Sequence, residues 1–225
     1  TRFACVVCLL CFWGAVRAQL STDQILAEMG FSAAEQRRVL DGEFVTTKIG
    51  RVSERDLAYA VAFLVKTSPD ALSEQVLDGM HVTDDAQVRT YGELSGPGTL
   101  SDFAALQITD DEAHALSRVE PGHATNFSTG ECGLFKELRG QPTQKVQEQL
   151  QRAVLTRYQA YHTFRPTGIA PYARGRSATA DVVSDLTKAV QSMVALQERL
   201  PNLYTVLLDY PRAQVPGIRQ SFRWV

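Results

Sequence analysis

Two long amphipathic segments in the second half of the chain constrain its fold more than any other feature. Between Pro142 and Phe164 the apolar residues recur every three or four positions, at Val146, Leu150, Val154, Tyr158 and Tyr161. This spacing places them on one face of an α-helix. A similar pattern runs from Thr179 to Leu200, where Pro201 ends it. The two segments therefore predict two long helices that pack as neighbours on one core.

Shorter elements are marked by capping residues and by β-branched runs. Helix starts are predicted at Ser21 or Thr22, Ser32, Ser68-Pro69, Thr109 and Ser128. Strands are predicted over residues 44–49, 88–94, 203–209 and 219–225. Residues 57–65 fit a strand paired with 44–49, although residues 53–56 could instead cap a helix there. The pattern as a whole predicts a helix-rich α+β single domain over residues 19–225, with two long amphipathic helices and short antiparallel strands.

The N-terminus has the three parts of a secretory signal peptide. Arg2 precedes an apolar run from Phe3 to Val16, and Val16-Arg17-Ala18 resembles a cleavage site. A span of the bilayer takes about 20 apolar residues, which is more than this run offers. Residues 1–18 are therefore predicted to be a signal peptide, and the mature protein to be periplasmic or extracellular with no membrane span. A membrane anchor and a buried N-terminal helix are the alternatives.

Signal cleavage would remove three of the four cysteines, since Cys5, Cys8 and Cys11 lie inside the apolar run. Cys132 then remains alone, so the mature chain is not a disulfide-stabilised scaffold. The chain begins with Thr1, and the alternating pattern that reaches Val225 is followed by no turn residues. These two features favour a fragment that lacks a C-terminal part.

Several features of the last third resemble a group of secreted bacterial proteins that have no assigned activity. The residues that carry the resemblance are Tyr158 and Tyr161, the loop 168–172, the Leu200-Pro201 helix stop, and the aromatic strand with Phe222 and Trp224. The resemblance implies a related fold. It implies nothing about mechanism.

The two halves of the mature chain differ in charge. Residues 19–138 contain 9 basic and 20 acidic side chains, whereas residues 139–225 contain 12 basic and 5 acidic ones. Either the basic half binds something anionic, or the two halves fold against each other and their charges pair; we favour pairing. Nucleic acid is excluded as a partner by the predicted export and by the lack of any nucleic-acid-binding signature.

The loop between the two long helices is the most suggestive candidate site. It contributes Arg165, Arg174 and Arg176, whose guanidinium groups suit a carboxylate or phosphate, together with Tyr172. Tyr161 and His162 lie shortly before the loop. Ser177 and Thr179 are predicted to open the second long helix, whose first amides also favour an anion. The alternative is a structural connection with arginines on helix ends and tyrosines in the core.

No catalytic or cofactor motif accompanies this loop. The sequence has no GxSxG, GxGxxG, Walker, HExxH or CxxC pattern, so we expect no cofactor and no metal site. The cluster of Asp110, Asp111, Glu112 and His114 is typical of a first helical turn. The preferred function is non-enzymatic binding of an anionic or amphipathic small molecule. The alternatives are a hydrolase with Cys132 as its nucleophile, activated by the nearby helix start, and an envelope interaction protein without a small ligand.

Export is directly testable. Expressed with its complete N-terminus in a bacterial host, the protein should be recovered outside the cytoplasm. N-terminal sequencing should place its first residue at Gln19 or within a few positions of it. Recovery of intact, membrane-embedded precursor as the only species would contradict the signal-peptide assignment.

Overall fold

The computed structural model describes residues 21–48, 50, 59–79, 83–122, 125–175, 177–209, 215–216 and 218–225. The predicted signal peptide 1–18 and the candidate residue Arg176 lie outside this part of the chain. The described residues combine α-helices with short antiparallel strand pairs, which confirms the helix-rich α+β class. They fall into two compact units that meet in sequence near residue 65.

The first unit contains two short helices and a strand pair. Helices α1 (Thr22–Glu28) and α2 (Ala33–Leu40) begin at Ser21 and Ser32, and both starts are capping boxes as predicted. Strands β1 (Val45–Lys48) and β2 (Tyr59–Ala62) pair in antiparallel fashion, so the strand interpretation of residues 59–62 is confirmed. The core of this unit consists of Leu26, Phe31, Val39, Val45 and Ala60.

The second unit begins with α3 (Pro69–Leu77), which Ser68 caps, and β3 (Gly92–Leu94). A 3-10 turn at Leu100–Phe103 is followed by α4 (Asp110–Leu116) and α5 (Thr129–Lys136), which begin at the predicted caps Thr109 and Ser128. Only residues 92–94 of the predicted strand 88–94 are extended and paired. Helix α6 (Thr143–Phe164) is the longest element and forms the first predicted long helix.

Residues after α6 return in short elements. A 3-10 turn at Pro166–Gly168 leads to β4 (Tyr172–Ala173), which pairs with β5 (Thr179–Ala180). Helices α7 (Val182–Ser192), α8 (Val194–Arg199) and α9 (Pro201–Asp209) follow. Strand β6 (Phe222–Trp224) then pairs with β3, so that the C-terminal strand prediction is confirmed for these residues.

Two predictions for this region were wrong. The expected continuous helix over 179–200 is interrupted, because Asp181 caps α7 and Met193 leaves the helical conformation with φ −84° and ψ 75°. The Ser192 hydroxyl donates to the carbonyl of Ala189 at 2.7 Å, a bond that competes with the helix ladder next to this break. The expected strand over 203–209 is helix α9, since Pro201 provides a preset first helical residue.

The core of the second unit lies where α4 and α5 pack on α6. Its buried side chains are Ala113, Val119, Phe127, Cys132, Phe135, Val146 and Ala153. A second aromatic layer joins α6 to β6. Tyr158 and Tyr161 both contact Phe222. Their ring centroids lie 5.6 and 6.2 Å, respectively, from the centroid of the Phe222 ring. The apolar face predicted for α6 therefore packs against two different parts of the unit.

The end of β6 is anchored by Trp224. Its indole N–H donates to the carbonyl of Asp102 at 2.8 Å, and its ring stacks on Phe103. Gly92 lies opposite Trp224 in the β3–β6 register. A side chain at residue 92 would collide with the indole, so this cross-strand position requires glycine.

Arg223, the central residue of β6, caps the C-terminus of α3. Its guanidinium donates to the carbonyls of Val76 and Leu77, and its side chain is only 9% exposed. The last carbonyls of a helix have no partner within the helix, so a buried cation satisfies them and also interacts favourably with the helix dipole.

We predict that Arg223→Met lowers the free energy of unfolding by about 2 kcal/mol, because the charge-assisted hydrogen bonds to the carbonyls of Val76 and Leu77 are lost. Arg219→Met is the matched control. Arg219 forms an exposed pair with Glu74, with side chains 53% and 61% exposed, so its loss should cost less than about 1 kcal/mol. Urea denaturation of both variants measures the difference. Equal losses in the two variants would contradict the capping role of Arg223.

Candidate functional site

The loop after α6 is held against the segment that precedes α5. The backbone N–H of Ala173 donates to the carbonyl of Phe127 at 2.8 Å, and Ala173 is buried. The N–H of Arg174 donates to the carbonyl of Ala178 at 2.8 Å, which closes the β4–β5 turn. The loop therefore has a defined shape immediately after Tyr172.

A continuous stack of aromatic rings and guanidinium groups lies beside these bonds. The guanidinium of Arg157 lies 5.2 Å from the ring centroid of Phe127 and 5.3 Å from that of Tyr172. The guanidinium of Arg174 lies 5.8 Å from the same Tyr172 ring. All three separations are within the range of cation–π attraction. The order of the stack is Phe127, Arg157, Tyr172, Arg174.

Arg157 is the inner cation of the stack, and a carboxylate neutralises it. Its Nε and one terminal nitrogen donate to the two carboxylate oxygens of Glu131 at 2.6 and 2.7 Å. The same terminal nitrogen also donates to the carbonyl of Asn126 at 2.6 Å. The side chains of Arg157 and Glu131 are 28% and 17% exposed. This bidentate pair fixes the orientation of the guanidinium between the two rings.

Arg174 is the outer cation and lies at the surface. One terminal nitrogen donates to Oδ1 of Asn126 at 2.7 Å, while the face of the guanidinium lies over Tyr172. None of the carboxylates in the described part of the chain pairs with Arg174. A guanidinium has five N–H donors, so Arg174 is held at two points and keeps further donors for a ligand.

Arg165 does not share this site. It donates to the carboxylate of Asp209 at 2.5 Å, and its Nε is buried without a hydrogen-bond partner among the described residues. Its backbone has φ 65° and ψ −163°, a conformation that favours glycine and ends α6. Arg165 and Arg174 therefore have different partners, and their guanidinium groups do not converge on one anion site.

Tyr161 and His162 belong to the aromatic layer under β6. Tyr161 packs on Phe222, and burial raises the pKa of its hydroxyl. The His162 ring lies 5.9 Å from that of Tyr158, whose hydroxyl donates to the carbonyl of Gly96 at 2.7 Å. Of the predicted site residues, Tyr172 and Arg174 are therefore adjacent, while Tyr161 and His162 contribute to packing.

The predicted helix start at Ser177 or Thr179 is also wrong, and the difference matters for anion binding. Helix α7 begins at Val182, and the carboxylate of its cap Asp181 accepts from the N–H of Ser184 at 3.0 Å. Because a negative group of the chain already occupies this helix end, its amides do not add to an anion site near the loop.

Cys132 is poorly suited to act as a nucleophile. The residue is 3% exposed and lies in the core under α6. Desolvation raises the pKa of its thiol, and the neighbouring carboxylates of Glu131 and Glu120 raise it further, despite the opposing effect of Lys136. The sequence predicted that the nearby helix start would lower the pKa of this thiol, and that prediction is wrong in sign. Burial and the raised pKa both disfavour the thiolate, so neither supports Cys132 as the nucleophile of the hydrolase alternative.

Ion pairs connect the acidic and basic halves of the sequence. Arg157 pairs with Glu131, Arg219 with Glu74, and Arg223 approaches Glu93 at 3.9 Å. Pairing between the halves, the interpretation that we favoured from the sequence, thus accounts for part of the charge division. Among the described residues no group of three or more potential metal ligands occurs, and no helix has the length and apolarity needed to cross a membrane.

Glu131 makes the site sensitive to acid. Desolvation raises the pKa of its carboxyl, but the hydrogen bonds from Arg157 and from Ser128 outweigh this effect, and the pKa lies below the usual 4.5. A lowered folded-state pKa contributes stability that is present above pH 4.5 and is lost as the pH falls through the folded-state value.

We predict that Glu131→Gln costs about 2 kcal/mol of unfolding free energy at neutral pH, since Arg157 loses its charged partner. The variant should also lose less stability than the wild type as the pH falls below 4.5. Glu112→Gln is the control, because Glu112 also closes a capping box and pairs with an arginine, but at an exposed position. Denaturant titrations across the acid range test this, and parallel curves for wild type and Glu131→Gln would contradict it.

Sequence reasoning missed Arg157, Asn126 and Glu131. In the sequence, Arg157 lies next to the apolar face of the predicted helix and resembles an ordinary solvent-exposed residue. Only its contacts with Glu131, Phe127 and Tyr172 identify it as part of the site. Comparisons of the chain with protein-family models, with curated protein sequences and with solved structures gave no match. The outer end of the stack at Arg174 is therefore the feature on which a functional inference rests.

Proposed function

We propose that this protein is an exported, non-enzymatic binding protein that accepts the carboxylate or phosphate group of a small molecule at Arg174. One observation carries the proposal. The Arg174 guanidinium is exposed, fixed by Tyr172 and Asn126, and unpaired with any described carboxylate. Fixing a guanidinium before the ligand arrives reduces the entropy lost on binding.

The surroundings of Arg174 favour an anion that carries an apolar group. Arg157 also lies over Tyr172, and although Glu131 neutralises it, its guanidinium helps to hold the tyrosine ring in place. The partly exposed ring of Tyr172 then lies next to the cation at Arg174. A ligand with a ring or short chain beside its acid group contacts both residues at once.

Location outside the cytoplasm is part of the same proposal and is supported by the pattern of residues 1–18. The lack of a catalytic motif and the buried, protonated state favoured for Cys132 support binding rather than turnover.

Phenyl phosphate is a suitable probe, because it combines a phosphate with an aromatic ring. We predict that Arg174→Gln weakens its binding about tenfold, which corresponds to roughly 1.4 kcal/mol. Tyr172→Leu should weaken binding as well, since the guanidinium loses its support, whereas Tyr172→Phe should bind like the wild type. Titration followed by NMR chemical shifts measures all four proteins.

Arg139→Gln is the matched control, because Arg139 is an exposed cation of the same basic half without a described aromatic or acidic partner. It should leave binding unchanged, and added salt should weaken binding in the wild type. Equal losses for Arg139→Gln and Arg174→Gln would indicate attraction to net charge alone and would overturn the assignment of a site.

A further inference from the structure

The outer face of the β1–β2 pair carries a row of exposed apolar side chains. Alternation along the strands buries Val45 and Ala60 on the inner face. The opposite face consists of three cross-strand pairs, namely Phe44 with Phe63, Thr46 with Val61, and Lys48 with Tyr59. The first of these pairs continues the strand register by one residue, and its rings stack with centroids 5.4 Å apart. The side chains therefore form one continuous surface.

The apolar members of this surface are strongly exposed. Phe44 is 64% exposed, Phe63 54%, Tyr59 47% and Val61 42%. Single exposed apolar residues are ordinary, but a contiguous row of four on a small unit marks an interaction surface. Lys48, at the end of the row opposite the phenylalanine pair, is the only charged residue in the three pairs.

We propose that this face of the β1–β2 pair docks on the surface of a lipid bilayer that contains anionic headgroups. Aromatic side chains partition favourably into the interfacial layer of a bilayer, where tyrosine keeps its hydroxyl near water. A lysine beside them extends its ammonium toward lipid phosphates while its methylene groups stay against apolar surface. The row thus combines shallow apolar contact with one electrostatic contact.

The size and composition of the face favour lipid over a protein partner. A stable protein interface uses roughly 20–30 residues on each side, whereas the three pairs offer six. Lysine is also depleted in the cores of protein interfaces. A small molecule would need an enclosing cavity, and side chains exposed by 42% to 64% do not enclose one. Lipid docking at this face does not depend on the anion site at Arg174.

Hydrogen–deuterium exchange of the full chain with vesicles tests the proposal. Phosphatidylcholine vesicles should slow exchange over residues 44–48 and 59–65, and added phosphatidylglycerol should slow it further. Residues 186–200, which also expose Leu186, Met193, Val194 and Leu200, should not change. The readout is local, and the variants distinguish docking of this face from lipid binding elsewhere on the chain, for example by the apolar run 3–16.

Variants separate the two parts of the contact. Phe44→Thr/Phe63→Thr should lose the vesicle-dependent protection on both lipid compositions, and Lys48→Gln should lose only the increment due to phosphatidylglycerol. Phe164→Thr is the matched control, because Phe164 is also 64% exposed but lies on α6. It should behave like the wild type. Circular dichroism establishes that each variant is folded, and Lys48→Gln, an exposed polar change, remains informative if the double variant is not.

Three results would overturn the proposal. These are no protection over 44–48 and 59–65 with either vesicle, protection that persists in the folded double variant, and protection that appears without vesicles and rises with protein concentration. The last result would assign the face to a second copy of the chain.

Discussion

The bidentate pair between Arg157 and Glu131 joins three separate parts of the second unit. Glu131 closes the capping box that starts α5, with its carboxylate accepting from the N–H of Ser128 at 2.7 Å. The same carboxylate holds Arg157, which lies between Phe127 and Tyr172. One acidic side chain thereby joins a helix start, the middle of α6 and the loop beyond α6. These elements are separated in sequence, so the pair is a tertiary contact that fixes locally formed elements relative to one another.

Local interactions explain which elements were predictable from the sequence. Ser32, Thr109 and Ser128 cap their helices with residues three positions further on, so each start is encoded within a few residues. The β1–β2 pair was predictable for a similar reason, because period-2 alternation arises from local strand geometry, in which successive side chains point to opposite faces. Boundaries of this kind do not require knowledge of the rest of the fold.

Other features depend on contacts that no short window contains. The apolar spacing over 179–200 fits one helix, but Asp181 and Met193 set its actual limits. A strand was predicted over 203–209, yet Pro201 and the burial of Val206 favour a helix there. Three arginines near one loop suggested one anion site. Arg165 instead turned toward Asp209, a partner 44 residues away in the chain that spacing cannot reveal.

The conformation of Arg165 has a mechanical consequence. Its positive φ is costly for any residue with a side chain, and the bond to Asp209 at the end of α9 helps to offset that cost. The end of α6 and the end of α9 are therefore thermodynamically linked. A displacement of α9 that separates the carboxylate from the guanidinium also removes the support for the strained turn, and relaxation of that turn would redirect the chain entering Pro166. Arg165 thus links the position of α9 to the backbone conformation at the start of the loop that carries Tyr172 and Arg174.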